Sequence, residues 1–119
     1  MIVGIGTDIV EISRVVEASE KNRFIEKFFT YNERKIFDKK RNSIAGNFAV
    51  KEAVAKMFGT GIRGFELRDI EVLRDELGKP YVVLHNKANA IATEMNINRI
   101  HVSISDTDKY AVAYVIGEE

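Results

Sequence analysis

Residues 43–61, SIAGNFAVKEAVAKMFGTG, place Lys51, Glu52 and Lys56 among side chains that are otherwise almost all apolar or small. At about 100° per residue the apolar positions fall in every quadrant, the pattern of a helix enclosed on all sides. Glu52 and Lys56 are neighbours by the i,i+4 rule, while Lys51 projects elsewhere and reads most simply as a snorkelling stem. On an amphipathic helix a Glu–Lys pair would be ordinary. Here little polar face exists to carry it, and ionised groups in a dry setting are costly unless paired. Such charges point to a metal, an anion or catalysis. Asp8 is the second candidate. It shares a strand face with Gly4 and Gly6, and glycine inside a strand marks close approach of a ligand or of another backbone. One carboxylate from a strand and one from a helix suit Mg²⁺, which typically takes one or two protein carboxylates and completes its shell with phosphate oxygens and water. The structural alternative is that Asp8 caps the next helical turn or pairs with an arginine.

Other motifs say less. Gly4 and Gly6 do not open a dinucleotide fingerprint, because Ile9 stands where the third glycine belongs. Residues 59–64, GTGIRG, follow a helix rather than open one and lack the Gly-Lys-Ser/Thr of a P-loop. They can still offer Gly59 and Gly61 backbone N–H groups, and Arg63, to a phosphate. In HVSIS (residues 101–105) His101, Ser103 and Ser105 share one face, with Val102 and Ile104 toward the core. A structural role for the histidine is the plainer reading, and no Ser-His-Asp spacing is present.

The elements that must position these groups follow from period and punctuation. Ile2 to Ile12 reads as a strand, with helices through residues 12–20 and around residues 23–29. Thr30 and Glu33 form a capping-box pattern opening a helix to about Lys39. Asn42 or Ser43 is the expected cap of the long helix, and Gly59 and Gly61 end it. Strands are expected at residues 70–74 and 81–85, joined by a turn marked by Gly78 and Pro80. A helix over residues 86–95 and strands at 101–105 and 110–116 complete the chain. Hairpin pairing predicts an α+β fold, a mostly antiparallel sheet with one long buried helix. Residues 1–119 read as a single domain.

Bulk composition narrows the classes. With 119 residues, 45% hydrophobic and 30% charged, the chain has the make-up of a globular domain. It has no cysteine, so no disulfide framework or thiolate chemistry is available. No window approaches the roughly 18 apolar residues of a membrane span, and no signal-peptide pattern is expected. Net charge is zero, against a general nucleic-acid binder. Between Arg14 and Arg41, however, nine Lys or Arg stand against five Asp or Glu, a local excess of +4. Such a stretch suits an acidic partner or is simply a solvated helical surface.

Three segments, IGTDIVEI (residues 5–12), FAVKEAVAKMFGTGI (48–62) and HVSIS, with GKP (78–80) in the hairpin, resemble the holo-[acyl-carrier-protein] synthase family, the short bacterial type of 4′-phosphopantetheinyl transferase. That resemblance implies transfer of the phosphopantetheine arm of coenzyme A to a serine of apo-acyl carrier protein. Adenosine 3′,5′-bisphosphate would be released in a Mg²⁺-dependent reaction. It implies Asp8 and Glu52 as metal ligands, and Glu52 and Lys56 as catalytic groups. Gly59, Gly61, Arg63, His101 and Ser103 would lie toward coenzyme A, and Arg14, Arg23 and Lys27 in a basic first-helix region that docks the carrier. A homotrimer with active sites between subunits, a cytoplasmic location and a role in fatty acid biosynthesis also come with the family. Asn47 stands where many relatives carry Arg, and Asp106 where many carry His. Beside this reading stand a Mg²⁺-dependent phosphoanhydride hydrolase and a noncatalytic adaptor for an acidic protein.

Overall fold

The computed structural model describes residues 1–21 and 23–119. Its order is β1 (Ile2–Glu11), α1 (Ile12–Ser19), α2 (Phe24–Phe28), α3 (Tyr31–Lys39), α4 (Ser43–Phe58), a short 3₁₀ turn (Leu67–Asp69), β2 (Ile70–Arg74), β3 (Pro80–Leu84), α5 (Asn86–Glu94), β4 (Arg99–Asp106) and β5 (Tyr110–Glu118). β1 and β4 both pair antiparallel with β5, and β2 and β3 form a separate antiparallel hairpin. The expected α+β architecture is therefore the observed one.

The small residues of β1 explain how α4 reaches the sheet. A Cβ on Gly6 would overlap the carbonyl oxygen of Ala53, and one on Gly4 would lie 2.7 Å from that of Met57. Of the two readings of this glycine strip, the backbone of α4 fills it, not a ligand. Ala49, Val50, Ala53, Val54 and Met57 then pack with Ala113 and Val115 of β5 and with Ile70 and Val72 of β2. A second apolar cluster, with Ile12, Val15, Phe29, Phe37 and Ile44, anchors α1 and α3 to the start of α4.

Local signals hold, with two corrections. Thr30 caps α3 in a full capping box: its hydroxyl accepts from Glu33 N at 3.2 Å, and Glu33 Oε1 accepts from Thr30 N at 3.1 Å. Gly59, at φ 80°, ends α4 in the left-handed conformation that glycine adopts without steric penalty. Asn42, by contrast, makes no side-chain cap, because its backbone is already helical at φ −66° and ψ −11°; Ser43 lies inside the helix. The β3 strand begins at Pro80 rather than Tyr81, pairing with Arg74. Proline is tolerated at the first residue of a strand, where the missing N–H disrupts least.

Lys51 is the larger correction. It does not snorkel; both it and Glu33 are 0% exposed. Lys51 Nζ donates to Glu33 Oε1 at 2.8 Å, to Leu67 O at 3.2 Å and to the carbonyl of Ile70, and stands 5.0 Å from the centroid of the Phe29 ring. Glu33 Oε2 accepts from Asn47 Nδ2 at 3.0 Å and from Val72 N at 3.3 Å. Burial pushes the Glu33 carboxyl up and the Lys51 ammonium down, and their mutual attraction pulls both back. This network ties α3, α4 and β2 together. Asn47 belongs to it, pointing inward and donating to Val72 O at 3.0 Å as well.

With these positions buried, the side of α4 left partly open is the stripe of Phe48, Glu52 and Lys56. The three-stranded sheet has an open side too. On its face away from α4, Ile5 is 67% and Tyr114 59% exposed, with Ile9 and Tyr110 beside them.

Candidate active site

Asp8 lies on β1 and points, like Gly4 and Gly6, toward α4. The open stripe of α4 brings Glu52 and Lys56 to the same place. Lys56 Nζ stands 3.1 Å from Asp8 Oδ1, and the Lys56 side chain is 56% exposed. Asp8 thus meets a lysine rather than the capping or arginine partner of the structural alternative. The Glu52 carboxyl is pushed up, first by burial and then by the neighbouring Asp8 charge, with Lys56 pulling it down. The Asp8 charge is near enough to act on Glu52, and the Lys56 ammonium beside Asp8 is more than half exposed, an arrangement that favours an added cation. Among the described residues no group of three or more His, Cys, Asp or Glu gathers to hold a metal. A two-carboxylate donor set fits Mg²⁺ bound together with phosphate oxygens and water.

Phe48 divides two hollows beside this centre. One, of about 310 Å³, is lined by Ile9, Arg14, Val15, Ala18, Phe24 and Phe48. The other, also about 310 Å³, is lined mainly by Phe28, Phe48, Glu52, Ile62, Phe65 and Leu67. Just past Lys56, Gly59, Gly61 and Gly64 all take positive φ, and Arg63 between them is exposed.

The basic region is only partly on the first helix. Arg14 is on α1, but Lys27 lies on α2, a separate short helix, and Arg23 immediately precedes that helix. Arg23 Nε pairs with Glu26 Oε2 at 2.9 Å, and Lys27 Nζ is 5.4 Å from the Phe28 ring centroid. Arg34 and Arg68 join them around a polar hollow of about 590 Å³. Arg68 lies outside the basic stretch of sequence, so composition alone did not mark it. Sequence reading also missed a hollow of about 420 Å³ lined by Lys39, Lys40, Gly46, Arg74, Pro80 and Asp106. Burial pushes the Arg74 guanidinium down, with Glu33 pulling it up. Five elements, α3, α4, β2, β3 and β4, meet around this hollow, and no local sequence signal brings them together.

His101 and Ser103 are not brought to Asp8. They project from the opposite face of the sheet, where Ser103 is registered against Tyr114 and Tyr114 against Thr7. His101 Nε2 lies 2.9 Å from Glu118 Oε1, which helps hold the Glu118 carboxyl below the usual range.

Residues 4–115 match the 4′-phosphopantetheinyl transferase superfamily. A holo-[acyl-carrier-protein] synthase of Lachnoclostridium phytofermentans is 55% identical over 118 residues, covering 99% of this chain and 97% of that protein. The crystal structure of holo-[acyl-carrier-protein] synthase from Neisseria meningitidis superposes with a TM-score of 0.90 at 36% identity, covering 100% of both chains. That of the Helicobacter pylori synthase, in complex with coenzyme A, does so with a TM-score of 0.84 at 32% identity, covering 96% of this chain and 99% of that one. The chain belongs to the 4′-phosphopantetheinyl transferase superfamily, within the enzyme family of holo-[acyl-carrier-protein] synthases.

Proposed function

We propose that this enzyme transfers the 4′-phosphopantetheine arm of coenzyme A to a serine of apo-acyl carrier protein, with Mg²⁺ as cofactor, and releases adenosine 3′,5′-bisphosphate. The observation that carries the reading is the meeting of Asp8, from the strand, with Glu52 and Lys56, on the open stripe of a helix otherwise sunk in the core. The coenzyme A complex of the Helicobacter pylori relative supports the donor.

Asp8 and Glu52 would hold the metal. When bound, Mg²⁺ supplies positive charge to the pyrophosphate oxygens and makes the phosphorus more electrophilic. The serine oxygen forms a bond to the phosphorus that carries the pantetheine, and the bond from that phosphorus to the bisphosphate oxygen breaks. Glu52, directly or through a water it orients, accepts the serine proton. Lys56, exposed enough to leave Asp8, offsets the charge on the departing bisphosphate. Arg63 and the Gly59–Gly61 backbone lie at the same end of α4 and suit the phosphates. Arg14, Arg23 and Lys27 steer the acidic carrier, Arg14 from the rim of a hollow walled by Val15, Phe24 and Phe48.

His101 and Ser103 reach coenzyme A only if a second copy supplies them, since they sit on the sheet face away from Asp8. That face also exposes Ile5, Ile9 and Tyr114, an apolar surface of the kind that associates. Both features favour the homotrimer with active sites between subunits. The reading implies a cytoplasmic enzyme of fatty acid biosynthesis.

The test mixes the protein with coenzyme A, Mg²⁺ and apo-carrier and follows carrier mass. Gain of one phosphopantetheine is expected, and Asp8→Asn or Glu52→Gln should each abolish it without unfolding the chain. Phosphate release with no mass gain would indicate the hydrolase, and binding alone the adaptor. Normal turnover in either variant would refute the metal assignment.

A further inference from the structure

The polar hollow of about 590 Å³ beside α2 has no part in the transfer chemistry. Lys27 and Glu26 line it from α2, with Arg23 just before that helix. Arg34 comes from α3, and Glu66 and Arg68 from the 3₁₀ turn and the residue before it. Arg23 is already matched by Glu26 at 2.9 Å, so Lys27, Arg34 and Arg68 stand against Glu66 alone, a local excess of +2. Among the described residues none of these three cations enters an ion pair. Neutral groups hold two of them in place. The Arg34 guanidinium carbon lies 5.9 Å from the centroid of the Tyr31 ring, and Arg68 Nη1 donates to the Glu26 carbonyl oxygen at 3.2 Å. Arg34 Nε is buried with no hydrogen-bond partner among the described residues. An N–H in that state is a standing cost, which an anion relieves by drawing the guanidinium toward itself.

We infer that Arg34 and Arg68, with Lys27, form a second contact for the carrier and take one of its carboxylates on the side of α2 away from Arg14. The inference rests on the transferase reading above. Arg14 lines a different hollow, which it shares with Phe24 of α2, so α2 is a ridge with a cationic contact on each flank. One charged contact attracts an acidic partner but lets it swing. Two contacts straddling a ridge fix its direction, and so fix where its serine arrives. The phosphates of the donor are not the occupant. On the same reading they meet Asp8, Glu52 and Lys56, and the apolar hollow of Phe28, Phe65 and Leu67 lies between Glu52 and the basic one; the two hollows share only Lys27 and Glu66. A carboxylate suits the two arginines, whose forked N–H groups match a pair of oxygens. Arg34 and Arg68 therefore select carriers that place an acidic side chain at this hollow while the serine is at Glu52.

The experiment measures KM for apo-carrier and for coenzyme A in the wild-type protein, Arg34→Gln and Arg68→Gln, at several salt concentrations, with thermal unfolding of each protein alongside. KM for the carrier should rise about threefold in Arg68→Gln, whose charge is exposed, and about tenfold in Arg34→Gln, which is half-buried. Its salt dependence should flatten in both, while KM for coenzyme A stays at the wild-type value. Each Asp and Glu of the carrier is then changed singly to Asn or Gln. One carrier variant should bind the wild-type enzyme more weakly, yet lose little more against Arg34→Gln or Arg68→Gln. A merely structural role for the arginines cannot produce that non-additivity. Arg68→Gln decides the matter if Arg34→Gln unfolds early. Unchanged KM for the carrier at low salt overturns the inference, and so do losses that add for every carrier variant. A rise in KM for coenzyme A alone also overturns it, and gives the hollow to a phosphate of the donor. Absence of transfer by the wild-type protein removes the transferase reading itself, a result distinct from all of these.

Discussion

Lys51→Met keeps most of the apolar stem of a wholly buried side chain and removes its ammonium group. The ammonium serves three acceptors, Glu33 Oε1 at 2.8 Å, Leu67 O at 3.2 Å and the Ile70 carbonyl. Removing one partner of a buried ion pair costs about 3–5 kcal/mol, because the other charge stays buried without compensation. Domains of ordinary stability have about 5–15 kcal/mol in total, so this is a large fraction. For a chain of this length the melting temperature should fall by roughly 10–20 °C. Burial already pushes the Glu33 carboxyl up, and without Lys51 nothing of comparable strength pulls it back. A carboxyl whose folded value lies above its unfolded value favours folding at low pH and loses that contribution as pH rises. The deficit of Lys51→Met should therefore be largest near neutrality and shrink on acidification. Urea titrations at fixed protein concentration would measure it, together with Glu33→Gln and the double variant. The double variant should be less destabilised than the sum of the singles by at least about 1.5 kcal/mol. A single-variant loss below about 1 kcal/mol, with additive singles, would refute the buried-pair account.

Gly6→Ala would set a methyl group against the Ala53 carbonyl, so β1 and α4 must separate. A loss of about 3 kcal/mol or more is expected, with weakened activity from the shift of Asp8 relative to Glu52; a well-folded, fully active variant would contradict the close packing. For Glu71, burial alone would raise the carboxyl, yet bonds from Thr30 at 2.5 Å, His85 at 3.0 Å and Asn32 at 3.4 Å hold it below its usual range. Its contribution to stability is therefore present above the unfolded value and lost as pH falls through the folded one. The stability gap between wild type and Glu71→Gln should narrow in acid, and a gap constant from neutral to acid pH would count against this. Arg14→Glu should raise the KM for the carrier and flatten its salt dependence while leaving donor binding intact; unchanged carrier affinity would remove Arg14 from the docking surface.

Much of this protein was readable along the chain. The capping box at Thr30 and Glu33, the left-handed stop at Gly59 and the alternation of residues 101–105 are local signals, set by interactions within a turn or two of backbone. The carboxylate pair was legible as well, since a charge on a helix apolar all round and another beside two strand glycines each break a local rule. What sequence could not tell was which of the neighbouring lysines would join them. Lys51 and Lys56 lie five residues apart on one helix, yet Lys51 is sealed against Glu33, eighteen residues upstream, while Lys56 stays in water beside Asp8. Which lysine is structural depends on what packs over each side of α4, and that is a property of the assembled layers. The glycines of β1 were equally open to a ligand or a backbone until α4 took the space. His101, Arg74 and Arg68 were placed by strand register and by contacts between elements remote in sequence. Composition, period and caps determined the elements and named the candidate charges. Only tertiary packing, which decides burial and long-range pairing, separated the charges that hold the fold from those left facing a substrate.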